Sequence, residues 1–562
     1  MFFGISGKVD YVVSAFGERA NTRFAQAQKL GLPVVSNAFV TDSLKGGCLV
    51  SPAKYLIVSS AQAADDEEGT VQRYQIKQGA VVMEASGLGA EGHVLCEEET
   101  GDSYSAVLSQ SDVFSGKNAF YKMQLVELDN LEGWFLFREW GRLGTTVGSS
   151  KLDPHPTREA AVRAFKALFQ EKTKNHWRCR REGFAKKPRA YHPVDVELVS
   201  EKVLRLSTVV PGSNSVLPVP VRDLLKRVFD IEAMKETLVE LDIDLSQMPL
   251  GKLSGGQLRQ ACAALKTLQE EVSKDHPSRV RLTEASNRFY TLVPHNFGLK
   301  TPVLLDNTPL ISEKLRLVDT LLDIEVATRI LNIESEEDLH LDPVDVYYRK
   351  MATHIEVVPE EDPDHALITT YLANTQAVAQ RFRLQASHIF RLRKEAEVIN
   401  FQPYSGLSNR QLLWHGSRTS NFGGILSQGL RIAPEEAPAT GYLFGKGLYF
   451  TDAASKAATY CRATARNKTG LLLLSEVALG EILELGPREV VTPLPPQYQS
   501  VKGCGTTAPG DCELLPGGLL VPCGPLTKTL QTESELVYNE MVVFNQDQAR
   551  MRFLVQVDFV FT

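Results

Sequence analysis

The chain has 562 residues, more than one hydrophobic core usually organises, so we expect two to four domains. Hydrophobic residues make up 43% and charged residues 23% of the chain, which excludes a disordered or fibrous protein. The formal net charge of −7 argues against nucleic-acid binding, provided that the charge is evenly spread along the chain.

The eight cysteines are scattered along the chain, and no C-x-x-C or Cys/His cluster with zinc-ligand spacing occurs. We therefore expect reduced thiols in a cytosolic or nuclear protein, and no metal site. No apolar run is long enough to span a membrane, and the N-terminal residues MFFGISGKVD are not typical of a secretory signal.

Residues 1–60 contain two short strand candidates, at Val9–Val13 and Pro33–Val35. The stretch GLPVVSNAFVTDSLKGG resembles the second half of a BRCT module, so we interpret residues 1–60 as a BRCT-like α/β fragment. Residues 61–113 are acidic and Gly-rich, and we interpret them as an acidic linker of loops and weak strands.

Residues 114–195 predict a β-rich domain, because residues 121–128 and 134–140 alternate in polarity as strands do. A helix with an apolar stripe is expected after these strands, over Thr157–Lys172. Residues 196–216, which contain PGSNS, are typical of a linker.

Residues 217–338 carry several apolar stripes at helical spacing and predict an all-α domain. Residues 339–562 predict a mixed α+β domain that ends in a strand of period two, RFLVQVDFVFT. Inside it, residues 486–525 are rich in Pro and Gly, and we interpret them as a long irregular loop. The expected fold class is thus multidomain α+β.

Two short motifs point to nucleotide-binding folds but do not fit them. Gly87–Gly92 matches G-x-G-x-x-G, yet the acidic stretch that follows lacks the helix that would hold a pyrophosphate. Residues 253–257, LSGGQ, match the signature of ABC-type ATPases, but the G-K-[ST] of a Walker A loop is absent from the sequence. We interpret Ser254 as the N-cap of a helix instead.

A basic stretch changes what the net charge implies. Residues 138–189 hold fourteen Lys and Arg against five Asp and Glu, a local charge of +9. The tryptophans Trp134, Trp140 and Trp177 lie in or beside it, and basic residues interleaved with aromatics suit phosphate contacts and stacking. On charge alone, nucleic-acid contact is about as well supported as its alternative, a solvated basic face or a nuclear-import signal.

The sequence around Trp140-Gly141-Arg142, FLFREWGRLGTTVGSSKL, resembles the WGR domain of DNA-dependent poly(ADP-ribose) polymerases. In that family the domain binds DNA strand breaks. The resemblance implies that Trp140 stacks on a sugar at the break and that Arg142 relays the contact to a helical domain. With Arg178 and Lys186 of the basic stretch, these residues form the expected DNA-binding set.

Three further motifs occur in order: LWHGSR from Leu413, GYLFGKGLYFTD from Gly441, and Tyr538-Asn539-Glu540. Together they resemble the H-Y-E constellation of ADP-ribosyltransferases of the diphtheria-toxin-like class. From about residue 114 onward the chain is similar to the founding DNA-damage-dependent polymerase, although its cysteine spacing lacks that protein's zinc fingers. The resemblance implies NAD as substrate, with His415, Tyr449 and Glu540 as catalytic residues.

Cleavage of NAD at the nicotinamide ribose passes through an oxocarbenium-like state, which a nearby carboxylate stabilises. Glu540 suits this task and also the polarisation of an acceptor hydroxyl. The backbone of Gly416 would hold the carboxamide, since no Cβ blocks the approach. The resemblance implies an NAD-binding set of His415, Gly416, Ser417, Asn421, Arg431, Tyr442, Tyr449, Phe450, Lys456 and Tyr460.

One position departs from the family pattern. The residue after Lys456 is Ala457, where the polymerases have a serine whose hydroxyl bonds the nicotinamide carboxamide. One such hydrogen bond is worth about 0.5–1.5 kcal/mol, so we expect weaker binding of NAD but retained activity.

The sequence therefore predicts a nuclear, DNA-break-stimulated poly(ADP-ribose) polymerase that modifies protein acceptors, itself included, without a metal. Residues 217–338 would cover the NAD cleft until DNA binding loosens them, with Asp319 and Asp323 on the helix that faces the cleft. Two alternatives stay open: a mono-ADP-ribosyltransferase with the same site, and a DNA-binding scaffold with a weakened catalytic domain.

Overall fold

The structure is a computed structural model, which describes residues 12–14, 34–36, 82–89, 91–129, 133–180, 183–187, 189–194, 214–243, 254–331, 338, 341–377, 380–438, 442–486, 493–531 and 534–561. The chain divides into two compact units. The first comprises Met1–Val107, Tyr121–Trp140 and Gly148–Ala190, and the second Leu108–Phe120, Gly141–Val147 and Tyr191–Thr562.

The N-terminal part is described at two short strands, β1 (Val12–Ser14) and β2 (Val34–Ser36). They pair in parallel, with Val12 opposite Val34. Both strands overlap the candidates expected from the sequence. The rest of the BRCT-like fragment lies outside the described residues.

The WGR-like region is built on a sheet in which β3 pairs with β5 and the other strands run in the order β7, β6, β5, β4 and β8 (His192–Val194). The strands are β3 (Gly92–Val94), β4 (Ser105–Asp112), β5 (Lys117–Leu128), β6 (Trp134–Arg142) and β7 (Gly148–His155). Helix α1 (Arg158–Thr173) follows, and the Thr157 hydroxyl caps it by accepting from the amide of Ala160.

Strands β3 and β4 lie within residues 61–113, which the sequence predicted to be a linker of loops and weak strands. The structure differs, because most of β4 is buried in the sheet. Two of the acidic side chains in this segment, Glu97 and Asp102, bind Arg180 of the basic stretch.

Trp177 belongs to the core of the first unit. It is 5% exposed, and its ring makes edge-on contacts with Phe165 at 4.9 Å and Phe169 at 5.0 Å. Of the three tryptophans in or beside the basic stretch, Trp177 is thus used in core packing.

Helices form the first part of the second unit. They are α2 (Val219–Val228), α3 (Ile231–Glu240), α4 (Gly255–Val272), α5 (Arg279–Leu292) and α6 (Thr308–Leu331). The stripe Leu258, Ala261, Leu265 and Leu268 on α4 is fully buried. The Ser254 hydroxyl caps α4 by accepting from the amide of Gln257, so both helix predictions from this segment are confirmed.

The second part of this unit adds five further helices: α7 (Pro343–Met351), α8 (Pro363–Asn374), α9 (Glu395–Phe401), α10 (Phe422–Gln428) and α11 (Ala454–Ala458). These helices flank two sheets. In the larger sheet the strand order is β17, β18, β11, β13, β21, β10, β9, and in the smaller one it is β12, β20, β15, β14.

The strands of this unit begin with β8 (His192–Val194), β9 (His354–Val357), β10 (Phe382–Arg393), β11 (Arg410–Gly416), β12 (Leu448–Phe450), β13 (Thr469–Ala478) and β14 (Ile482–Leu485). They continue with β15 (Ser500–Gly503), β16 (Thr507–Pro509), β17 (Glu513–Leu515), β18 (Leu519–Val521), β19 (Leu526–Lys528), β20 (Glu540–Val543) and β21 (Ala549–Phe561). Four of them lie within residues 486–525, so the segment expected to be a long irregular loop contains four short strands.

Strand β21 confirms the period-two prediction over residues 553–559. Phe553, Val555, Val557 and Phe559 are buried on one face of the larger sheet, where they join the core around Trp414. Phe561, expected on the same face, is 38% exposed at the end of the strand. Its antiparallel neighbours are β10 and β13.

A buried carboxylate joins three strands of the larger sheet. Glu476 of β13 is 1% exposed and contacts Arg410 of β11 and Arg550 and Arg552 of β21, at 2.6, 2.7 and 2.6 Å. Burial alone would raise the pKa of Glu476, but the hydrogen bonds and charges of Arg550 and Arg552 outweigh it and hold that pKa below its usual value.

We expect Glu476→Gln to lower the free energy of unfolding at pH 7 by about 1.5–3 kcal/mol, because charge-assisted hydrogen bonds to partly buried arginines are lost. A lowered carboxyl pKa stabilises the fold above the usual pKa near 4.5, and this contribution disappears as the pH falls through the lowered value. The deficit should therefore shrink in acid. Urea unfolding at several pH values measures it.

Glu356→Gln is the matched control, since Glu356 lies on β9 of the same sheet and is 55% exposed beside Arg391. Exposed pairs contribute about 0–1 kcal/mol. Equal losses in the two variants would contradict the role given to Glu476.

Candidate active site

The site forms where the two sheets of the second unit meet. The amide of Trp414 donates to the carbonyl of Thr451 at 2.8 Å, and the amide of Thr451 donates back at 3.0 Å. These bonds join the end of β11 to the end of β12. They bring His415 and Gly416 beside Tyr449, although the two motifs are far apart in sequence.

His415 is held in one tautomer. Its Nδ1 lies 2.9 Å from the backbone carbonyl of Tyr449, which can only accept, so Nδ1 carries the hydrogen. Burial lowers the pKa of His415, while the bond to Tyr449 works in the other direction. The ring is therefore neutral near pH 7, with Nε2 left as an acceptor.

Gly416 is required by protein packing. A Cβ at this position would lie 1.9 Å from the carbonyl oxygen of Ala457 on α11. The sequence argument attributed this glycine to the approach of a ligand, and the structure gives another reason: α11 packs directly on β11. Helix α11 also carries Lys456, so the glycine fixes where that side chain lies.

Tyr449 is anchored through its hydroxyl. It donates to the carbonyl of Gly445 at 2.8 Å and accepts from the amide of Phe444 at 2.9 Å. Burial raises its pKa, so the hydroxyl stays protonated. Its ring stacks with that of Tyr442, with centroids 6.3 Å apart.

Phe450 has a different environment. Its side chain is 2% exposed and packs in the core cluster that contains Leu413 and Met541. Its ring lies edge-on to the ring of His415, with the centroids 6.0 Å apart. The expected direct contact between Phe450 and NAD stays a prediction, and the structure adds that this side chain supports His415 from within the core.

Glu540 is the first residue of β20 and is 8% exposed. Its Oε1 lies 2.6 Å from the Nζ of Lys456. Burial would lower the pKa of Lys456, but the hydrogen bond and charge of Glu540 raise it, so the lysine stays charged. Tyr460 is 45% exposed, and its ring centroid lies 5.9 Å from the same Nζ.

The residues expected around the adenosine half follow His415 in the chain. The Nδ2 of Asn421 donates to the hydroxyl of Ser417 at 3.0 Å. Arg431 donates to Asp323 of helix α6 at 2.6 Å and to Gln428 at 3.0 Å. The guanidinium expected to contact NAD is thus paired with the helical part of the unit.

A second contact from α6 reaches the same cleft. The hydroxyl of Tyr442 lies 3.5 Å from the Oδ2 of Asp319. Burial and then the charge of Asp323 raise the pKa of Asp319 to about 7, against the opposing effects of Tyr442 and Arg431. Asp323 has its pKa raised to about 6 by burial, although Arg431 lowers it.

The DNA-binding candidates belong to the WGR-like region. Trp140 stacks on Tyr121, with ring centroids 5.8 Å apart, and Arg178 and Lys186 are exposed. Arg142 lies at the end of β6 and donates to three backbone carbonyls, those of Gly116, Gly298 and Lys300.

Two buried polar residues beside the motifs were missed by sequence reasoning. Asp452 ends the GLYFTD motif and Asn539 precedes Glu540; both are almost fully buried and 2.6 Å apart. Their presence inside two recognised motifs was the available signal.

Within the described ranges, no three His, Cys, Asp or Glu side chains are grouped so that they could hold a metal ion. The expectation of a metal-free reaction stays a prediction. None of the described helices is both long and apolar enough to cross a membrane.

We expect Gly416→Ala to lower the free energy of unfolding by about 1–3 kcal/mol, because the new Cβ forces α11 away from β11. The same displacement should separate Lys456 from Glu540 in a crystal structure of the variant. Thermal unfolding measures the first effect.

Gly406→Ala is the control, because a Cβ at Gly406 meets nothing within 4 Å. If the two variants unfold at the same temperature, the packing role of Gly416 is wrong.

The sequence matches three described families. Residues 104–184 match the WGR domain, residues 215–348 the regulatory domain of poly(ADP-ribose) polymerase, and residues 363–559 the poly(ADP-ribose) polymerase catalytic domain. The last two matches lie within the second unit and include every residue of the candidate site.

Relatives are found in several animals. The chain is 42% identical to "Poly [ADP-ribose] polymerase 1" of Gallus gallus over 89% of its own length and 50% of the relative. It is 39% identical to the Danio rerio protein of the same name, over 96% and 56% respectively, and 37% identical to "Poly [ADP-ribose] polymerase" of Drosophila melanogaster, over 87% and 49%.

The chain thus spans about half the length of these relatives. The order of the three domains agrees with the order of the motifs found in the sequence. The chain therefore contains the WGR, regulatory and catalytic domains of the poly(ADP-ribose) polymerases and is homologous to this family along most of its length.

Proposed function

We propose that this protein is a DNA-break-stimulated poly(ADP-ribose) polymerase, which transfers ADP-ribose from NAD to protein acceptors and then elongates the chain. The observation that carries the proposal is the convergence of His415, Tyr449 and Glu540 where the two sheets meet, inside a matched catalytic domain. The acceptors include the protein itself.

Each of these residues has a task that fits its surroundings. Neutral His415 offers Nε2 as an acceptor for a ribose hydroxyl. The anchored ring of Tyr449 gives the flat nicotinamide a fixed face. Glu540 stabilises the positive charge that develops on the ribose as nicotinamide leaves.

Glu540 has a second task in elongation. The carboxylate can accept the proton of an incoming ribose hydroxyl and so activate it for attack. Charged Lys456 lies 2.6 Å from Glu540 and holds its carboxylate in place for both tasks. Ser417, Asn421 and Arg431 serve the adenosine half, and Tyr460 with Lys456 the opposite side.

The WGR domain supports DNA as the activating partner and a nuclear location. Trp140, Arg178 and Lys186 would contact the break, while Arg142 passes the contact to the loop at Gly298 and Lys300. DNA repair is the process that this combination of break binding and protein modification serves.

Finer features of the fold belong to the same proposal. We assign the catalytic domain to the diphtheria-toxin-like class of ADP-ribosyltransferases, on the three motifs and the paired sheets. We keep residues 1–60 as a BRCT-like fragment, which the parallel pair β1 and β2 supports. The reaction itself involves no metal.

The helical domain acts as a gate in this proposal. Asp323 occupies Arg431, which NAD would use, and Asp319 faces Tyr442 across the cleft. Loosening of α6 after DNA binding would release both residues at once.

Glu540→Gln should abolish long polymer while nicotinamide release continues at a reduced rate, because the amide keeps the shape but accepts no proton. The assay incubates the full chain with labelled NAD, with and without nicked DNA, and resolves the products on a gel. Glu395→Gln, at a 68% exposed glutamate, should behave as wild type.

Long polymer made by the Glu540→Gln variant would sink the assignment. Single ADP-ribose units made by the wild type would instead favour a mono-ADP-ribosyltransferase. No nicotinamide release from the wild type, even with nicked DNA, would favour the DNA-binding scaffold.

The gate should loosen as the pH rises. Asp319 faces Tyr442 and Arg431 from the catalytic domain, Asp323 from its own helix and Cys262 from α4. The pKa of Asp319 is raised to about 7. Its contribution to the stability of the docked helix α6 is therefore complete in acid and is lost as the pH rises through 7. An ionised, buried Asp319 then disfavours the docked helix.

We expect the ratio of DNA-independent to DNA-saturated nicotinamide release to rise severalfold from pH 6 to pH 8. Asp319→Asn should flatten this rise, and Asp223→Asn, at a 62% exposed position on α2, should keep it. The same rise in all three proteins would show that Asp319 does not set it.

A further inference from the structure

Asp452 and Asn539 form a buried polar connection directly behind Glu540. The Nδ2 of Asn539 donates to the Oδ2 of Asp452 at 2.6 Å, and its Oδ1 accepts from the amide of Gly505 at 2.9 Å. Asn539 is 5% and Asp452 4% exposed. Both ends of the Asn539 amide are therefore used, which fixes the orientation of the residue that precedes Glu540.

The connection holds the start of β20 from one side. Glu540 pairs with Gly503 of β15, and the chain two residues later, at Gly505, lies against the backbone of Tyr538 and Asn539. A Cβ at Gly505 would come within 2.3 Å of the Tyr538 backbone, so the two segments are closely packed there. The carboxylate of Glu540 can only be placed where this segment puts it.

Asp452 bonds to Asn539, which precedes the same strand, and also lies just before α11 in the chain. Asp452 follows Thr451, whose backbone bonds to Trp414 join the two sheets. Helix α11, which carries Lys456, begins two residues after Asp452. One aspartate thus lies between the two elements that deliver Glu540 and Lys456 to within 2.6 Å of each other.

The position is electrostatically costly. Burial raises the pKa of Asp452 to about 6, although Asn539 and the charge of Lys502 oppose it. Lys502 is engaged with Glu484 at 2.9 Å, and the Oδ1 of Asp452 has no hydrogen-bond partner among the described residues. An uncharged acceptor of the same shape would satisfy Asn539 without this cost.

We propose that Asp452 is a positioning residue for the transfer reaction, acting through Asn539 to hold Glu540 in register with Lys456. It does not touch NAD in this scheme. The inference rests on the proposed function, because it concerns the placement of the carboxylate that the reaction uses.

Asp452→Ala should lower kcat for nicotinamide release by about 10- to 100-fold at saturating nicked DNA, because a displacement of about 1 Å at a reacting group costs this much. The KM for NAD should change less than about threefold, since the residues that hold NAD are not moved. Asn539→Ala should give the same split between kcat and KM.

Asp452→Asn should restore kcat to within about threefold of the wild type, because its Oδ1 can accept from Asn539 as the carboxylate does. In a Glu540→Gln background, Asp452→Ala should cause no further loss of residual NAD hydrolysis. A residue with a merely structural role would lower both rates.

Ser500→Ala is the matched control. Ser500 is fully buried in β15, opposite the far end of β20, and its hydroxyl donates to the carbonyl of Leu479 at 2.8 Å. The variant loses a buried hydrogen bond in the same sheet without touching the segment at Asn539. Its kcat should stay within about threefold of the wild type.

A crystal structure of the Asp452→Ala variant separates this inference from the proposed function. Displacement of the Glu540 carboxylate from Lys456 supports the inference even if the wild type releases no nicotinamide, a result that would count against the function alone. An unmoved Glu540–Lys456 pair, an unchanged kcat or a loss equal to that of Ser500→Ala would overturn it.

Discussion

The two hydrogen bonds between Trp414 and Thr451 are the constraint on which the site depends. Each sheet is continuous within itself, but the residues that the reaction needs are divided between them. His415 ends a strand of the larger sheet, whereas Tyr449 and Glu540 belong to the smaller one. Since a backbone pair leaves little freedom, the relative placement of the catalytic groups follows from it.

Close backbone packing continues this constraint into the helix α11. Gly416 lets the carbonyl of Ala457 approach the end of β11, and Gly505 lets another segment approach the residues before Glu540. Both contacts lie where a side chain would separate elements that carry reacting groups. The placement of these groups thus depends on glycines that pack against backbone of the protein itself, whether or not a substrate is bound.

The sequence predicted well those features that local pattern determines. The period of β21 and the cap of α4 follow from spacing and side-chain chemistry, and the structure has both. The three catalytic motifs were found because they occur together and in order along one chain. Their convergence on one another could be inferred only from the family resemblance, since it depends on pairing between distant strands.

Other features could not be read from local pattern. Trp177 lies in a basic stretch but packs against Phe165 of helix α1. Its burial depends on this tertiary contact, which the charge of its sequence neighbours does not reveal. The Pro- and Gly-rich segment forms short strands because β15 and β18 pair with strands from elsewhere in the chain. Asp452 and Asn539 are ordinary polar residues in sequence, and only burial makes their pairing matter.

The place of β21 in the larger sheet has a consequence for how this domain is made. It lies between β13 and β10, near the middle of the sheet, yet it is the last of the seven strands in chain order. Its arginines also neutralise Glu476, which is synthesised much earlier. A growing chain must therefore keep β13 and β10 apart and their apolar faces exposed until translation has passed β21. The proposed transferase site can therefore be completed only once β21 has been made, whereas helices α2–α6 are synthesised before it.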